Sequence, residues 1–126
     1  MIKETVICVI IILIIFGLEI LTQNFTKETV SEITEMMIAV KESILNEKKE
    51  IEKEIEKLTN NWEDKHNKLA YYIEHDELEK VDTSIVKMKS YIETQNFSEA
   101  IAELEDGKFV LEHIQDKNAF NLKNIF

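Results

Sequence analysis

Apolar residues follow two different patterns along this chain. From residue 6 to 18, eleven of thirteen positions are Val, Ile, Leu or Phe; only Cys8 and Gly17 interrupt them, and no charge does. A run of that length is too long for a strand and has no polar face, so it predicts a helix that is apolar all round and suited to a bilayer. At about −0.3 to −0.6 kcal/mol per residue, the eleven side chains favour insertion by roughly 3 to 7 kcal/mol. Glu19 lies at the end of the run, where a carboxylate reaches headgroups at little cost. Residues 4–21 make roughly 27 Å of helix against a hydrocarbon core of about 30 Å, a short span with little tilt. A cleaved signal peptide is the rival reading. It finds no pair of small residues in the Glu-Ile-Leu-Thr-Gln-Asn that follows, and Cys8 lies inside the run rather than at its exit.

Beyond residue 22 the pattern changes to stripes. Phe25, Thr26 and Val30 have the spacing of a hydrophobic staple around an N-cap, which predicts a helix starting at Thr26. Val30, Ile33, Met37, Val40 and Ile44 then recur every three or four residues. The stripe resumes in phase at Ile51, Ile55, Leu58, Trp62, Leu69 and Tyr72, with Asn46 the local stop signal. One rod from 26 to 74 would be roughly 70 Å long and would need a coiled-coil partner, so a turn at 46–48 is the favoured reading. The phase shifts near residue 75, where Asp76 and Glu79 have the form of a capping box ahead of Leu78, Val81, Ile85, Met88 and Ile92. Thr94, Gln95 and Asn96 read as a turn, with Asn96 suited to a left-handed conformation and Ser98 to a cap. Ala100, Ile101, Leu104, Leu111 and Ile114 supply the last stripe, across which Gly107 reads as a glycine of close helix approach.

The predicted fold is therefore all-α: an N-terminal transmembrane helix over residues 1–22, then an antiparallel bundle of three to four helices over 23–126. The expected helices lie at about 26–45, 48–74, 77–94 and 98–117. An apolar tail follows over 118–126, and Phe120, Leu122, Ile125 and Phe126 predict that it packs back onto the bundle. Composition agrees, with no Pro, only two Gly, and room for one small core.

Charge narrows the partners. Lys3 and Glu4 cancel, so the formal charge of −10 belongs to the part after the span. Such a surface repels phosphates and excludes nucleic acid as the expected partner. Lys3 and the N-terminal ammonium outweigh Lys27 on the other side, which predicts a cytoplasmic N-terminus and an extracytoplasmic bundle. The lone Cys8, in lipid, leaves that bundle without a disulfide.

Chemistry is sparse. Glu63 and His66 form one Glu-x-x-His pair, but di-iron bundles use that spacing twice, and Tyr72 and Val110 stand where His75 and His113 would need a Glu. Glu63, His66 and His75 are thus weak metal candidates, and no metal, cofactor or catalytic residue is assigned. No nucleophile elbow or phosphate loop is present. The 48–57 segment, Lys-Lys-Glu-Ile-Glu-Lys-Glu-Ile-Glu-Lys, reads as a solvated face. Trp62, Tyr71 and Tyr91 are candidates for an interface, with Trp62 and Tyr72 better placed for the core and Tyr71 and Tyr91 for the surface.

The span, the Trp62 to His66 region, the Ile-Glu-His-Asp-Glu-Leu stretch at 73–78, the final amphipathic helix and the closing Lys123, Asn124, Ile125 and Phe126 resemble a bacterial family of small single-span helical proteins classed as a domain of unknown function. The closing Asn-Ile-Phe is the most specific piece. The resemblance implies architecture and envelope location, with no established activity, and its members resemble companions of multi-span membrane proteins of the YetF type. Two functional readings follow. One is a membrane-anchored interaction or structural module, held in the bilayer through residues 5–21 and binding a protein in the membrane or itself. The other is a bundle that senses a cationic ligand or metal near His66 or His75.

Overall fold

In a computed structural model, the backbone is described for residues 1–125 and the side chains for 1–119. The described residues form four helices and no strand: α1 (Ile2–Leu45), α2 (Ile51–Leu69), α3 (His75–Glu93) and α4 (Phe97–Ile125). Each runs antiparallel to the next across a short turn, and α4 returns along α1. Packing is closest between α4 and α3, then between α1 and its neighbours α4 and α2, while α2 and α3 meet sparingly. The stripes converge on one core in which Ile33, Met37, Leu58, Leu69, Leu78, Met88, Leu104 and Leu111 are sealed from solvent.

Helix α1 departs most from the sequence reading. No helix begins at Thr26; α1 runs unbroken for 44 residues, about 66 Å, from the apolar stretch into the core. A new N-terminus would leave four N–H groups to be satisfied, and nothing between Leu21 and Thr26 compels one. The threonines serve the continuous helix: Thr22 Oγ1 donates to the Glu19 carbonyl at 3.0 Å and Thr26 Oγ1 to the Thr22 carbonyl at 2.8 Å. Phe25 is no staple either, since it packs against the core beneath the Lys65 ammonium, 5.3 Å from its ring centroid. Residues 1–18 are all exposed, and this half of α1 is long and apolar enough to cross a membrane.

The turn at 46–48 is present and makes α1 and α2 a hairpin. Its left-handed residue is Glu47 (φ 52°), and at 94–96 it is Gln95 (φ 62°) rather than the expected Asn96. Both turns close the same way. Lys48 N–H donates to Ser43 O and Glu47 N–H to Ile44 O; Asn96 N–H donates to Tyr91 O and Gln95 N–H to Ile92 O. These are Schellman closures, in which glycine usually holds the left-handed place. Gln95→Gly, which relieves the Cβ crowding of that conformation, is expected to raise stability by about 1 kcal/mol, read as an upward shift in the urea midpoint.

The other boundaries also move. α2 spans Ile51–Leu69 rather than 48–74, and the break occupies residues 70–74, so α3 starts at His75 behind an N-cap, Glu74, that makes no side-chain capping bond. Asp76 therefore lies in the first turn, where its charge favours the helix dipole, and the expected capping box is absent. α4 begins at Phe97, which places Ser98 inside the helix, and it continues to Ile125 instead of ending near 117. The expected packing of Phe120, Leu122, Ile125 and Phe126 against the bundle lies outside the described side chains. Gly107 does lie at a close approach: a Cβ there would come within 2.9 Å of Met37 Cε and 3.4 Å of Ser84 Cβ, so three helices meet at this backbone.

Candidate functional site

Two polar clusters tie the helices together. The first lies where α1 leaves the bundle toward its apolar half. The Tyr72 hydroxyl, in the α2–α3 turn, donates to the Thr22 carbonyl at 3.1 Å and lies 2.7 Å from Thr26 Oγ1. From α4, Asn118 Nδ2 donates to Thr26 Oγ1 at 3.4 Å, while Gln23 Nε2 donates to the Asn118 carbonyl at 3.2 Å. Lys117 pairs with Glu74 at 3.5 Å beside them. The cluster thus joins α1, the α2–α3 turn and α4 at one level of the bundle. A buried threonine anchors it, Thr26 being 1% exposed.

Burial raises the Tyr72 hydroxyl above the ordinary tyrosine value, opposed by its hydrogen bond to Thr26. The folded state therefore holds this proton more tightly than the unfolded chain does, so the contribution is complete below the unfolded value near pH 10 and is lost as pH rises through the folded one. Tyr72→Phe is expected to be less stable at neutral pH, by about 1 kcal/mol for the lost hydrogen bonds, and to show a shallower loss of melting temperature between about pH 9 and 11.

The second cluster bridges α2 and α3, which otherwise hardly touch. Trp62 Nε1 donates to Asp82 Oδ1 at 2.6 Å. The His66 Nε2 atom lies 3.2 Å from Asp82 Oδ2 without the alignment of a hydrogen bond, and its ring meets Trp62 edge to face at 5.9 Å. The Asp82 carboxylate thus serves both aromatic neighbours. Sequence reasoning missed it, because one acid among 25 carries no signal that it lies opposite a Trp twenty residues earlier.

The sequence candidates separate accordingly. Trp62 is 4% exposed and belongs to the core, so it offers no interface. Tyr91 is half-buried against that core, whereas Tyr71, 90% exposed, is open to a partner. His66 turns to Asp82, and His75 is exposed in the first turn of α3. Glu63 lines the shallow recess that also contains His66. Among the described residues, no three His, Cys, Asp or Glu side chains gather as metal ligands. A recess of about 790 Å³ lies at the far end of the bundle between α2 and the α3–α4 turn, lined by Ile51, Ile55, Ile92 and Phe97 among polar side chains. It is an open groove, with Glu52, Glu56, Lys89 and Glu93 among its polar lining.

A family model for a domain of unknown function, DUF4363, matches residues 20–125, nearly the whole chain. This chain belongs to the DUF4363 family. No curated protein and no solved structure matches it. The match begins at residue 20, at the rim of the apolar half of α1, and extends over the rest of α1 and all of α2, α3 and α4.

Proposed function

We propose that this DUF4363 chain is a membrane-anchored helical module of the bacterial cell envelope that presents its bundle to another protein in the membrane or to a second copy. One observation carries the reading: a single unbroken helix, α1, is apolar and long enough to cross a membrane over its first half and forms a wall of the core over its second. A flexible tether would merely confine a domain near a bilayer. A continuous helix, locked to α4 and the α2–α3 turn by the Thr22–Thr26–Tyr72–Asn118 cluster, gives the bundle a fixed posture as well. A fixed posture matters when one face must meet a partner held in the same membrane. The excess of positive charge at Lys3 and the N-terminus supports a cytoplasmic start and an extracytoplasmic bundle. No catalytic role is part of this proposal.

The test is crosslinking in intact cells from a photoreactive residue at Tyr71, followed by purification in mild detergent. A specific crosslinked protein, or a crosslinked dimer, is expected. Recovery of the chain alone and monomeric from every exposed position would overturn the module. A cysteine introduced at Ser98, in a Cys8→Ser background, should react with an impermeant maleimide on intact cells, and reaction only after lysis would reverse the orientation.

A further inference from the structure

The register between α1 and α4 reaches beyond the bundle. Gly107 faces Met37, and Asn118 bonds Thr26. Eleven residues down α1 thus correspond to eleven up α4, as two straight antiparallel helices with the same rise require. α4 does not stop at Asn118; its backbone continues seven residues to Ile125. The same count along α1 runs from Thr26 to Glu19. The last two turns of α4 are therefore level with residues 19–24 of α1, where the apolar run gives way to Glu19, Thr22, Gln23 and Asn24.

That level straddles the outer edge of a bilayer spanned by residues 4–21, from the last residues of the span into the headgroup layer, which is about 5 to 8 Å deep on each side of the hydrocarbon. The residues that α4 brings there are Phe120, Asn121, Leu122, Lys123, Asn124 and Ile125, half of them large and apolar. Aromatic and aliphatic groups beside a Lys and amides form a composition suited to the boundary between headgroups and acyl chains. It differs from the rest of the acidic bundle, which lipid phosphates repel.

From this register we infer that the end of α4 is a second membrane contact, an interfacial segment that enters the outer headgroup layer beside the span. The inference rests on the anchored reading of α1. It assigns to residues 120–125 a partner, the lipid surface, and a role: two points of contact, α1 and α4, fix the bundle's rotation about α1 as well as its height.

The test uses the full chain with Cys8→Ser in nanodiscs of zwitterionic lipid. Asn121→Cys, a polar position flanked by Phe120 and Leu122, carries an environment-sensitive fluorophore, and Ser98→Cys at the other end of α4 is the control. Lipids spin-labelled near the headgroup are expected to quench the probe at 121 at least about twofold more than the control, the signature of a segment 5–10 Å deep. Phe120→Asp with Leu122→Asp should abolish that excess while the far-ultraviolet spectrum stays helical. Quenching equal to the control would overturn the inference, as would quenching that survives both aspartates, since the probe would then be seeking lipid by itself. Flotation of the chain with vesicles separates the two readings: a chain that fails to float sinks the anchor and this contact together. One that floats with an unquenched probe at 121 sinks only the contact.

Discussion

Trp62→Ala is expected to cost the bundle about 3 to 5 kcal/mol, the range for emptying a large aromatic from a packed core. Three losses combine there. The indole is 4% exposed, so its area returns to water or leaves a void between α2 and α3. Its N–H no longer meets Asp82, and the edge contact with His66 goes. The backbones of α2 and α3 approach each other at few places, so much of their contact runs through side chains such as Trp62. Trp62→Phe keeps most of the volume and loses the hydrogen bond, for which about 1 to 2 kcal/mol is expected, held down by the partial exposure of Asp82. Urea unfolding of both variants in detergent gives the ordering. A Trp62→Ala loss no larger than that of Trp62→Phe would show that the α2–α3 seam carries little of the stability.

Asn24→Pro is the second large effect, and its two consequences separate. Proline at 24 removes the amide that bonds the Ile20 carbonyl and crowds that carbonyl, at about 3 kcal/mol or more in a helix interior. The part of α1 beyond it can restart, because proline is favoured in a first helical turn whose amides need no partner. The bundle core, from Val30 onward, should therefore keep most of its melting temperature, while the join to the apolar half bends. Spin labels placed on either side, at Leu13 and Glu35, would report a single narrow distance in the native chain and a shorter, broader one in the variant. An unchanged distance would mean that something other than the helix backbone holds the two halves in line.

The architecture was largely legible because amphipathic stripes and the all-apolar run are strong periodic signals. Every buried stripe residue predicted on α1 is in the core, from Val30 to Ile44, as are Leu58, Trp62 and Leu69 on α2. The helix ends were less legible, for physical reasons. Thr26 can accept from the amides of a new helix or donate to the carbonyl of an old one, and the sequence around it suits either use. Asp76 and Ser98 are likewise good caps that the chain does not use as caps. At the turn after α3 the left-handed residue is Gln95 and not the expected Asn96, because the Schellman hydrogen bonds require that conformation one residue beyond the C-cap, Thr94. The polar clusters were the least visible. Tyr72 with Thr26 and Trp62 with Asp82 are meetings between helices, and no local spacing announces them.

The unbroken α1 also sets a length. In the anchored arrangement, α1 carries the chain 24 residues from Leu21 at the bilayer surface to Leu45, a rise of about 36 Å. The far-end groove lined by Ile51, Ile92 and Phe97 is held near that elevation, beyond the reach of the short loops of a membrane-embedded protein. In that arrangement Tyr71, next to the Tyr72 that bonds the Thr22 carbonyl, lies near the level of the bilayer surface. Under the proposed anchoring, the molecule would serve as a gauge block: a partner meeting the groove would have to rise some tens of ångströms, and one that hugs the bilayer would meet the base.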